Sequence, residues 1–225
     1  MDNNSFRTKI TKYLNSNVEY LNLIDVGANR GRFYDDLIAI YTKSKIQALL
    51  IEPIPECIKL LEHKFHDSNL VTICSKAVSD TAETKEFYIY DFDETSSLLK
   101  IKENVKELVN INSRPERIIK LTTDCLDKIV ENYESKGEIF DILKIDVQGS
   151  EDKVLLGAIK TLKKTKYIWI EVSFNALYEG TCLFSDIHKI LGETNFILLE
   201  IADGHRSPAN ELLQANCLYK NTCII

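Results

Sequence analysis

The stretch from Leu23 to Gly31 constrains the fold of this chain more than any other. It reads LIDVGANRG, an apolar run that ends in Asp25 and reaches glycine two residues later at Gly27. A helical pattern then begins at Gly31. Glycine permits a tight turn and lets a ligand approach the backbone closely. The segment therefore predicts a strand that turns into a helix, with an acid at the strand tip.

This segment can be compared with two kinds of nucleotide-binding turn. A dinucleotide-binding turn requires glycines spaced G-x-G-x-x-G, and Asn29 stands at the middle glycine position here. Asp25 would also face the pyrophosphate of a dinucleotide. A carboxylate suits a ligand with a positively charged end, such as the amino group of S-adenosylmethionine. The segment favours a methyl-donor site, and an ordinary strand-to-helix turn is the alternative.

Two further apolar runs end in acids. The run QALLIEP places Glu52 one strand and one helix after Asp25, where a carboxylate can accept hydrogen bonds from both hydroxyls of a ribose. Pro53 fixes the exit turn. The run DILKIDVQGSE places Lys144 and Asp146 on one side of a later strand. A charged pair inside a strand is costly unless it is paired, so it indicates either a functional site or a structural ion pair.

These three segments, in this order, resemble the FkbM family of S-adenosylmethionine-dependent methyltransferases. The likeness continues through VLLGA at 154–158 and WIEVS at 169–173, and it extends over most of residues 19–219. The resemblance implies a class I methyltransferase fold and O-methylation, often of sugar or natural-product hydroxyls. Gln148 stands where the family often has glutamate, and Asn216 where it often has aspartate, so no ionic role is carried over to either position.

The carboxyl edge of the sheet is the predicted ligand site. A methyltransferase aligns the acceptor with the methyl group and the sulfur, and a base takes the acceptor's proton. The candidate bases are Asp146 and Glu171, with Lys144 as an orienting group, and structural ion pairs are the alternative. Two acids are too few to predict a metal site, so none is predicted. The residues predicted to bind the cofactor are Asp25, Val26, Gly27, Ala28, Asn29, Gly31, Phe33, Glu52, Pro53, Ala77 and Asp146.

Strands and helices alternate along the 225 residues, which predicts one α/β domain with a sheet covered on both faces. The loop 203–210 is too short for a parallel crossover, so the last two strands form an antiparallel pair. The expected fold is a Rossmann-like three-layer sandwich with a mostly parallel seven-stranded sheet. Its strands lie near 21–26, 46–51, 70–75, 141–146, 167–173, 196–201 and 212–219, and its helices near 31–43, 55–65, 151–163 and 184–192, with another helix in 1–18.

Residues 80–138 form an irregular insertion. Residues 85–91 and 117–122 alternate like strands and predict a hairpin. Thr123 or Asp124 is the predicted cap of a short helix after it, and Ser150 is the predicted cap of the helix near 151–163. The insertion is either a flap beside the donor site or a cover for a sheet edge.

Composition narrows the possible functions. The net charge is −6 and the basic residues are scattered, which argues against a nucleic-acid-binding face. No apolar run reaches the roughly 20 residues that span a bilayer. The six cysteines contain no C-x-x-C pair and predict free thiols of a reducing compartment. We therefore expect a cytoplasmic protein with no nucleic-acid partner and an undetermined oligomeric state.

Three functions follow in order of preference. The first is an O-methyltransferase that acts on a small-molecule or glycan acceptor. The second is a catalytically inactive Rossmann-like domain that binds an adenosine ligand or a partner. The third is a nucleic-acid methyltransferase, disfavoured because the chain contains no Asn/Asp-Pro-Pro-aromatic tetrapeptide. His205, on the polar loop between the last strands, either contacts the substrate or stands free in solvent.

Overall fold

The computed structural model describes residues 9–14, 18–107, 109, 111–133, 139–202 and 204–224. The helices are α1 (Arg32–Ile40), α2 (Pro55–Lys64), α3 (Leu126–Glu131), α4 (Glu151–Leu156), α5 (Ile159–Leu162) and α6 (Phe184–Glu193). Short 3-10 turns lie at Asp93–Thr95 and Glu103–Glu107. The strands are β1 (Tyr20–Val26), β2 (Lys45–Ile51), β3 (Val71–Cys74), β4 (Ala77–Val78), β5 (Thr84–Ile89), β6 (Arg117–Asp124), β7 (Phe140–Ile145), β8 (Thr165–Ser173), β9 (Phe196–Ile201), β10 (His205–Arg206) and β11 (Leu212–Asn221).

The large sheet has the order β3-β2-β1-β7-β8-β11, with β9 and β10 both paired to β11. Neighbours from β3 to β8 are parallel, and β11 is antiparallel to β8 and β9. This arrangement confirms the Rossmann-like sandwich with a mostly parallel sheet and an antiparallel last strand. The described sheet has eight strands rather than seven because the loop before β11 contributes the two-residue strand β10.

The sheet separates two apolar cores. Ile24 and Ile145 pack with α3, α4, α5 and α6 on one face. Leu23 and Ile142 pack with α1 and α2 on the other face. Because side chains alternate along a strand, Asp25 points to the same face as Leu23. The acid at the tip of β1 therefore belongs to the face covered by α1 and α2.

The helix predicted over 151–163 is interrupted and forms α4 and α5. A Cβ atom on Gly157 would lie 2.3 Å from the carbonyl oxygen of Ser79, so the insertion packs against the break. The Asp127 carboxylate accepts hydrogen bonds from the backbone N–H groups of Lys160 and Thr161, each at 2.8 Å. These bonds satisfy donors that every helix start leaves unpaired. A long-range acid therefore starts a new helix where sequence periodicity predicts one continuous helix.

The insertion contains the predicted hairpin. Strands β5 and β6 are antiparallel, and β4 joins β6 to complete a second sheet of three strands. The short helix α3 follows as expected, but its N-cap position is Cys125 and no side chain caps it. Asp124 is instead paired with Lys76 at 2.6 Å.

The helix predicted within residues 1–18 falls largely outside the described residues. Lys9 and Ile10 are helical, and Ile10 is fully buried against the face covered by α1 and α2. Across the described ranges, every helix is too short or too polar to cross a membrane.

Candidate active site

The carboxyl ends of the parallel strands surround one large cavity. Val26 at the end of β1 lies in register with Ile51 of β2 and Ile145 of β7, so the residues that follow open at the same edge. The cavity there has a volume of about 590 Å³. Pockets of roughly 300–1,000 Å³ hold ligands of cofactor size. The predicted site residues on its wall are Val26, Gly27, Ala28, Asn29, Phe33, Glu52, Pro53, Ala77, Lys144, Asp146 and Glu171.

Two predicted cofactor residues stand outside that wall. Asp25 is fully buried beneath the turn, where its Oδ1 lies 3.2 Å from the Nζ of Lys144. Gly31 has φ +75°, and a Cβ atom there would meet the Leu61 side chain at 3.0 Å. Gly31 therefore serves the packing of α2 against the turn. A direct contact of either residue with the cofactor stays a prediction.

The turn after β1 is held tightly to its neighbours. The N–H groups of Gly27 and Ala28 both donate to the carbonyl oxygen of Ile51, at 3.0 and 3.1 Å. Gly27 has φ +77°, and a Cβ atom there would lie 1.9 Å from the backbone oxygen of Asp146. Only glycine meets both conditions, because L-residues are strained at this φ and the neighbouring strand leaves no room.

Lys144 ties the turn to two acids. Its Nζ donates to the carbonyl oxygen of Gly27 at 2.6 Å and lies 3.2 Å from Asp25 and 3.7 Å from Asp146. Burial lowers the pKa of Lys144, but the Asp25 and Asp146 carboxylates outweigh burial and raise this pKa above its usual value. Burial raises the pKa of Asp25, whose oxygens have no well-aligned hydrogen-bond donor in the described part of the chain. The ion pair with Lys144 therefore compensates for the burial of Asp25.

Glu52 holds the far side of the turn. Its Oε2 accepts from the backbone N–H of Asn29 and its Oε1 from that of Ile54, both at 2.8 Å. Burial raises the pKa of Glu52 to about 7, although these two N–H groups act in the opposite direction. Each carboxylate oxygen has a second lone pair. Glu52 can thus orient the turn and still accept hydrogen bonds from a ligand in the cavity.

Glu171 and Asp146 are joined by amide side chains. Glu171 Oε2 accepts from Gln148 Nε2 at 2.7 Å and from Gln214 Nε2 at 3.0 Å. Gln148 Nε2 also donates to Asp146 Oδ1 at 2.7 Å. Burial raises the pKa of Glu171 well above its usual value, and the nearby carboxylates of Asp146 and Glu151 add to the effect. Its surroundings therefore favour the neutral form of Glu171 more than water does, while the Asp146 side chain is a quarter exposed.

Sequence reasoning missed these amides and part of the wall. Gln148 stood out only as a departure from a family pattern, and Gln214 only as a glutamine that the family often shows near the C-terminus. Ser150, the predicted cap of α4, makes no capping bond, and its Oγ is buried on the cavity wall without a partner in the described residues. Glu151 instead accepts from the N–H groups of Val147 and Gly149, at 3.1 Å each.

The insertion forms one side of the cavity. Arg30, next to the β1 turn, pairs with Asp93 of the insertion at 2.7 Å. The insertion therefore contacts the turn after β1, and its place beside a donor site stays a prediction. Its movement as a flap stays a prediction. Its residues on the wall are Phe87, Asp93, Glu94, Ser96 and Leu98.

The described residues contain no group of three or more His, Cys, Asp or Glu side chains placed to hold a metal ion.

A model of the methyltransferase FkbM domain matches residues 25–198. The chain belongs to the FkbM methyltransferase family. Members of this family use S-adenosylmethionine, so both the predicted family and the predicted cofactor class are confirmed.

Two relatives that match this FkbM family member do so at low sequence identity. It is 26% identical to the 2-O-methyltransferase NoeI of Sinorhizobium fredii over 163 residues, which are 70% of this chain and 65% of that protein. The crystal structure of the methyltransferase FkbM from Methylobacillus flagellatus KT matches with a TM-score of 0.58 at 18% identity, covering 96% of this chain and 48% of that one. This chain therefore spans less than two thirds of the length of either protein.

A second solved structure supports the same fold. Magnesium protoporphyrin IX methyltransferase from Synechocystis PCC 6803, solved with bound S-adenosylmethionine, matches with a TM-score of 0.52 at 9% identity. The match covers 98% of this chain and 78% of that one. At this identity the likeness concerns the class I methyltransferase fold alone.

Proposed function

We propose that this chain transfers a methyl group from S-adenosylmethionine to a hydroxyl group of a sugar, glycan or natural product. The observation that carries the proposal is the single cavity that brings Glu52, Lys144, Asp146 and the Gly27 turn together at the carboxyl edge. Membership of a methyltransferase family supports the reaction type. The likeness to a 2-O-methyltransferase supports a hydroxyl acceptor.

The cavity wall fits this cofactor. Glu52 would accept from the ribose hydroxyls, and the turn from Val26 to Asn29 would face the methionine part. The buried Oγ of Ser150 offers a polar atom that a ligand can satisfy, and such atoms are rarely left unpaired. The acids on the cavity wall outnumber the cations, which suits a positively charged ligand. The acids are Asp36, Glu52, Asp93, Glu94, Asp146 and Glu171, and the cations are Arg32, Lys76 and Lys144. When bound, S-adenosylmethionine supplies a methyl group activated by its positive sulfur.

The protein's part in the reaction is to orient the acceptor and move one proton. Of the two candidate bases, Asp146 is the more exposed, so we assign it the acceptor's proton. Burial raises the pKa of Glu171 well above its usual value, which makes Glu171 less suited to act as a carboxylate base. Lys144 holds Asp146 and the Gly27 turn in fixed relation. Lys144 thus connects the Gly27 turn, which we propose faces the donor, to the proposed base Asp146.

The acceptor is assigned to the end of the cavity near β11. Asn216 lies directly opposite Glu171 in the β8–β11 register, and both line the cavity together with His205 of β10. Amide and imidazole groups both donate and accept hydrogen bonds, which suits a ligand rich in hydroxyl groups. This end of the wall favours a sugar-like acceptor.

A methyl-transfer screen tests the proposal. Labelled S-adenosylmethionine is offered with sugar nucleotides, free glycans and lipid-linked sugars, and donor affinity is measured by calorimetry. Transfer to a hydroxyl of one class supports the proposal. Donor binding without transfer to any class favours the inactive adenosine-binding domain instead, and absence of donor binding rejects the site.

Glu52 is expected to make donor binding depend on pH. Its pKa of about 7 means that the carboxylate forms as the pH rises through that value. If the carboxylate form binds the ribose, the dissociation constant at pH 6 should exceed that at pH 8 by up to about tenfold. The effect on stability has the opposite sign. The pKa of Glu52 is about 7 in the folded state and 4.5 otherwise, so the free energy of unfolding falls as the pH rises from 4.5 to about 7.

Calorimetry on two variants separates these effects. Glu52→Gln should show a flatter pH dependence than the wild type, and the titration of the donor itself is common to both proteins. Glu52→Ala should weaken binding about tenfold or more, since a charged hydrogen bond contributes about 1.5–3 kcal/mol. Unchanged affinity in Glu52→Ala contradicts the ribose assignment.

Substitutions at the acceptor end are expected to change acceptor affinity only. His205→Ala and Asn216→Ala should each raise the acceptor KM about 3-fold to 10-fold, the effect of one hydrogen bond, with the donor dissociation constant within about twofold. Arg206→Ala is the matched control, because Arg206 neighbours His205 on β10 but does not line the cavity. Steady-state kinetics with the acceptor from the screen supply the measurement. Equal effects of all three substitutions would contradict the placement of the acceptor at this end of the cavity.

A further inference from the structure

Gln148 has a strained backbone at the edge of the cavity. Its φ is +59°, and Gly149 after it has φ +108°. A left-handed conformation costs a residue with a Cβ atom roughly 1–2 kcal/mol, and such strain persists only where the surroundings impose it. The Gln148 side chain is also buried and lines the cavity. The chain therefore tolerates strain to place this one amide.

The orientation of the amide is fixed from both ends. Nε2 has two hydrogens and donates at 2.7 Å to both Asp146 Oδ1 and Glu171 Oε2. Oε1 accepts from the Tyr178 hydroxyl at 2.9 Å, and this hydroxyl also lies 2.9 Å from the carbonyl oxygen of Thr95. The reversed amide would set its oxygen against two carboxyl groups. Tyr178 therefore holds the amide with its donors facing the acids.

The surroundings of this amide are rich in acids. Burial raises the pKa of Tyr178 well above its usual value, and the carboxylates of Glu171, Asp146 and Glu151 act in the same direction. A donor that contacts a carboxylate favours its charged form. The titratable groups that surround Gln148 are Lys144 on β7, Asp146 directly after β7, Glu171 on β8, Glu151 on α4, Asp25 on β1, and Tyr90 and Tyr178.

We propose that Gln148 is a positioning residue, held by Tyr178, that bridges Asp146 and Glu171 so that Asp146 alone accepts the proton of the acceptor. The inference rests on the proposed function for the source of that proton. Glu171 has a second amide donor from Gln214, whereas the described residues give Asp146 no amide donor other than Gln148. The two carboxyl groups therefore respond differently to the loss of Gln148.

Carboxyl titration by carbon-13 NMR of the full chain tests the bridge without any acceptor. Gln148→Met keeps the volume and removes both donors. The Asp146 signal, assigned by its loss in Asp146→Asn, should change at a pH about one unit higher than in the wild type. Gln214→Met is the matched control, because Gln214 Nε2 donates to Glu171 and not to Asp146. It should move the Glu171 signal and leave that of Asp146 in place.

Tyr178→Phe keeps Gln148 and releases only its anchor. It should move the Asp146 signal in the same direction as Gln148→Met, by a smaller amount, and it carries the test if Gln148→Met does not fold. An Asp146 signal that stays in place in the folded variants overturns the bridge, as do equal shifts in Gln148→Met and Gln214→Met. Failure of the proposed function shows differently, as a wild type that neither binds S-adenosylmethionine nor transfers methyl groups while these signals still move.

Discussion

Replacing Gly27 with alanine is expected to abolish donor binding and to lower the free energy of unfolding by about 3 kcal/mol or more. Two independent penalties apply. The φ of +77° strains any residue with a Cβ atom, and that atom would lie 1.9 Å from the backbone oxygen of Asp146. The ends of β1 and β7 must separate to relieve the contact. Their separation disrupts the turn that lines the cavity and the Lys144 bond to the Gly27 carbonyl.

Gly180→Ala is the matched control for Gly27→Ala. Gly180 has φ +74°, but a Cβ atom there meets nothing within 4 Å. Its alanine variant therefore carries the conformational strain alone, about 1–2 kcal/mol, and should bind the donor normally. Chemical denaturation and calorimetry measure both quantities. Normal donor binding by Gly27→Ala would show that this turn is not the cofactor cradle.

The sequence allowed the edge of the sheet that carries the cavity to be predicted because its signals are local. An apolar run that ends in an acid, as at Asp25, Glu52 and Asp146, predicts both a strand and the sheet edge at which that strand ends. Parallel strands in register then bring these ends together without further information. The signal of the turn glycine is equally local. Gly27 has the positive φ that its position directly after the strand leads one to expect.

The pairing of these acids could not be predicted in the same way. Asp25 ends its strand like Glu52, but Asp25 lies in register with Lys144 and is sealed beneath the turn. Glu52 reaches the cavity because the turn at Asn29 folds over it. The two acids look alike in sequence, and only the register of β1 against β7 distinguishes them.

The amide network was even harder to predict, because it joins residues that are far apart in the sequence. Gln148 meets Glu171 and Tyr178 across separations of 23 and 30 residues, and Gln214 meets Glu171 across 43. A lone glutamine carries no periodicity that predicts such contacts. Similarly, the break between α4 and α5 depends on Asp127, which contacts Lys160 from 33 residues away. Contacts of this range are set by tertiary packing rather than by the pattern of a segment.

The surroundings of Asp146 and Glu171 are the reason that we propose Asp146 as the base. Burial and the nearby carboxylates raise the pKa of Glu171, which is held on the cavity wall by two amide donors. Asp146 shares one of those donors, lies 3.7 Å from the ammonium of Lys144 and is more exposed to the cavity. Acid–base sites commonly contain two titratable groups whose surroundings separate their behaviour. The arrangement gives Asp146 and Glu171 different expected responses to the same substitution.

Asp146→Asn is expected to reduce turnover about 10²-fold to 10⁴-fold, the contribution typical of a positioned base. The asparagine oxygen can still accept from Gln148, so the shape of the site is kept while the charge is lost. Donor affinity should change by no more than about threefold, because we assign the main donor contacts to Glu52 and the Gly27 turn. Calorimetry for the donor and initial rates with the screened acceptor separate the two quantities.

Glu171→Gln is the control variant that distinguishes Asp146 from Glu171 as the base. Burial raises the pKa of Glu171 and so favours its neutral form, which the amide resembles, and turnover should fall by less than about tenfold. A larger loss in Glu171→Gln than in Asp146→Asn would move the base to Glu171. An Asp146→Asn variant that loses stability and keeps its specific activity would make Asp146 a structural partner of Lys144. The proposed mechanism requires the opposite pattern, a stable Asp146→Asn protein that binds the donor and turns over slowly.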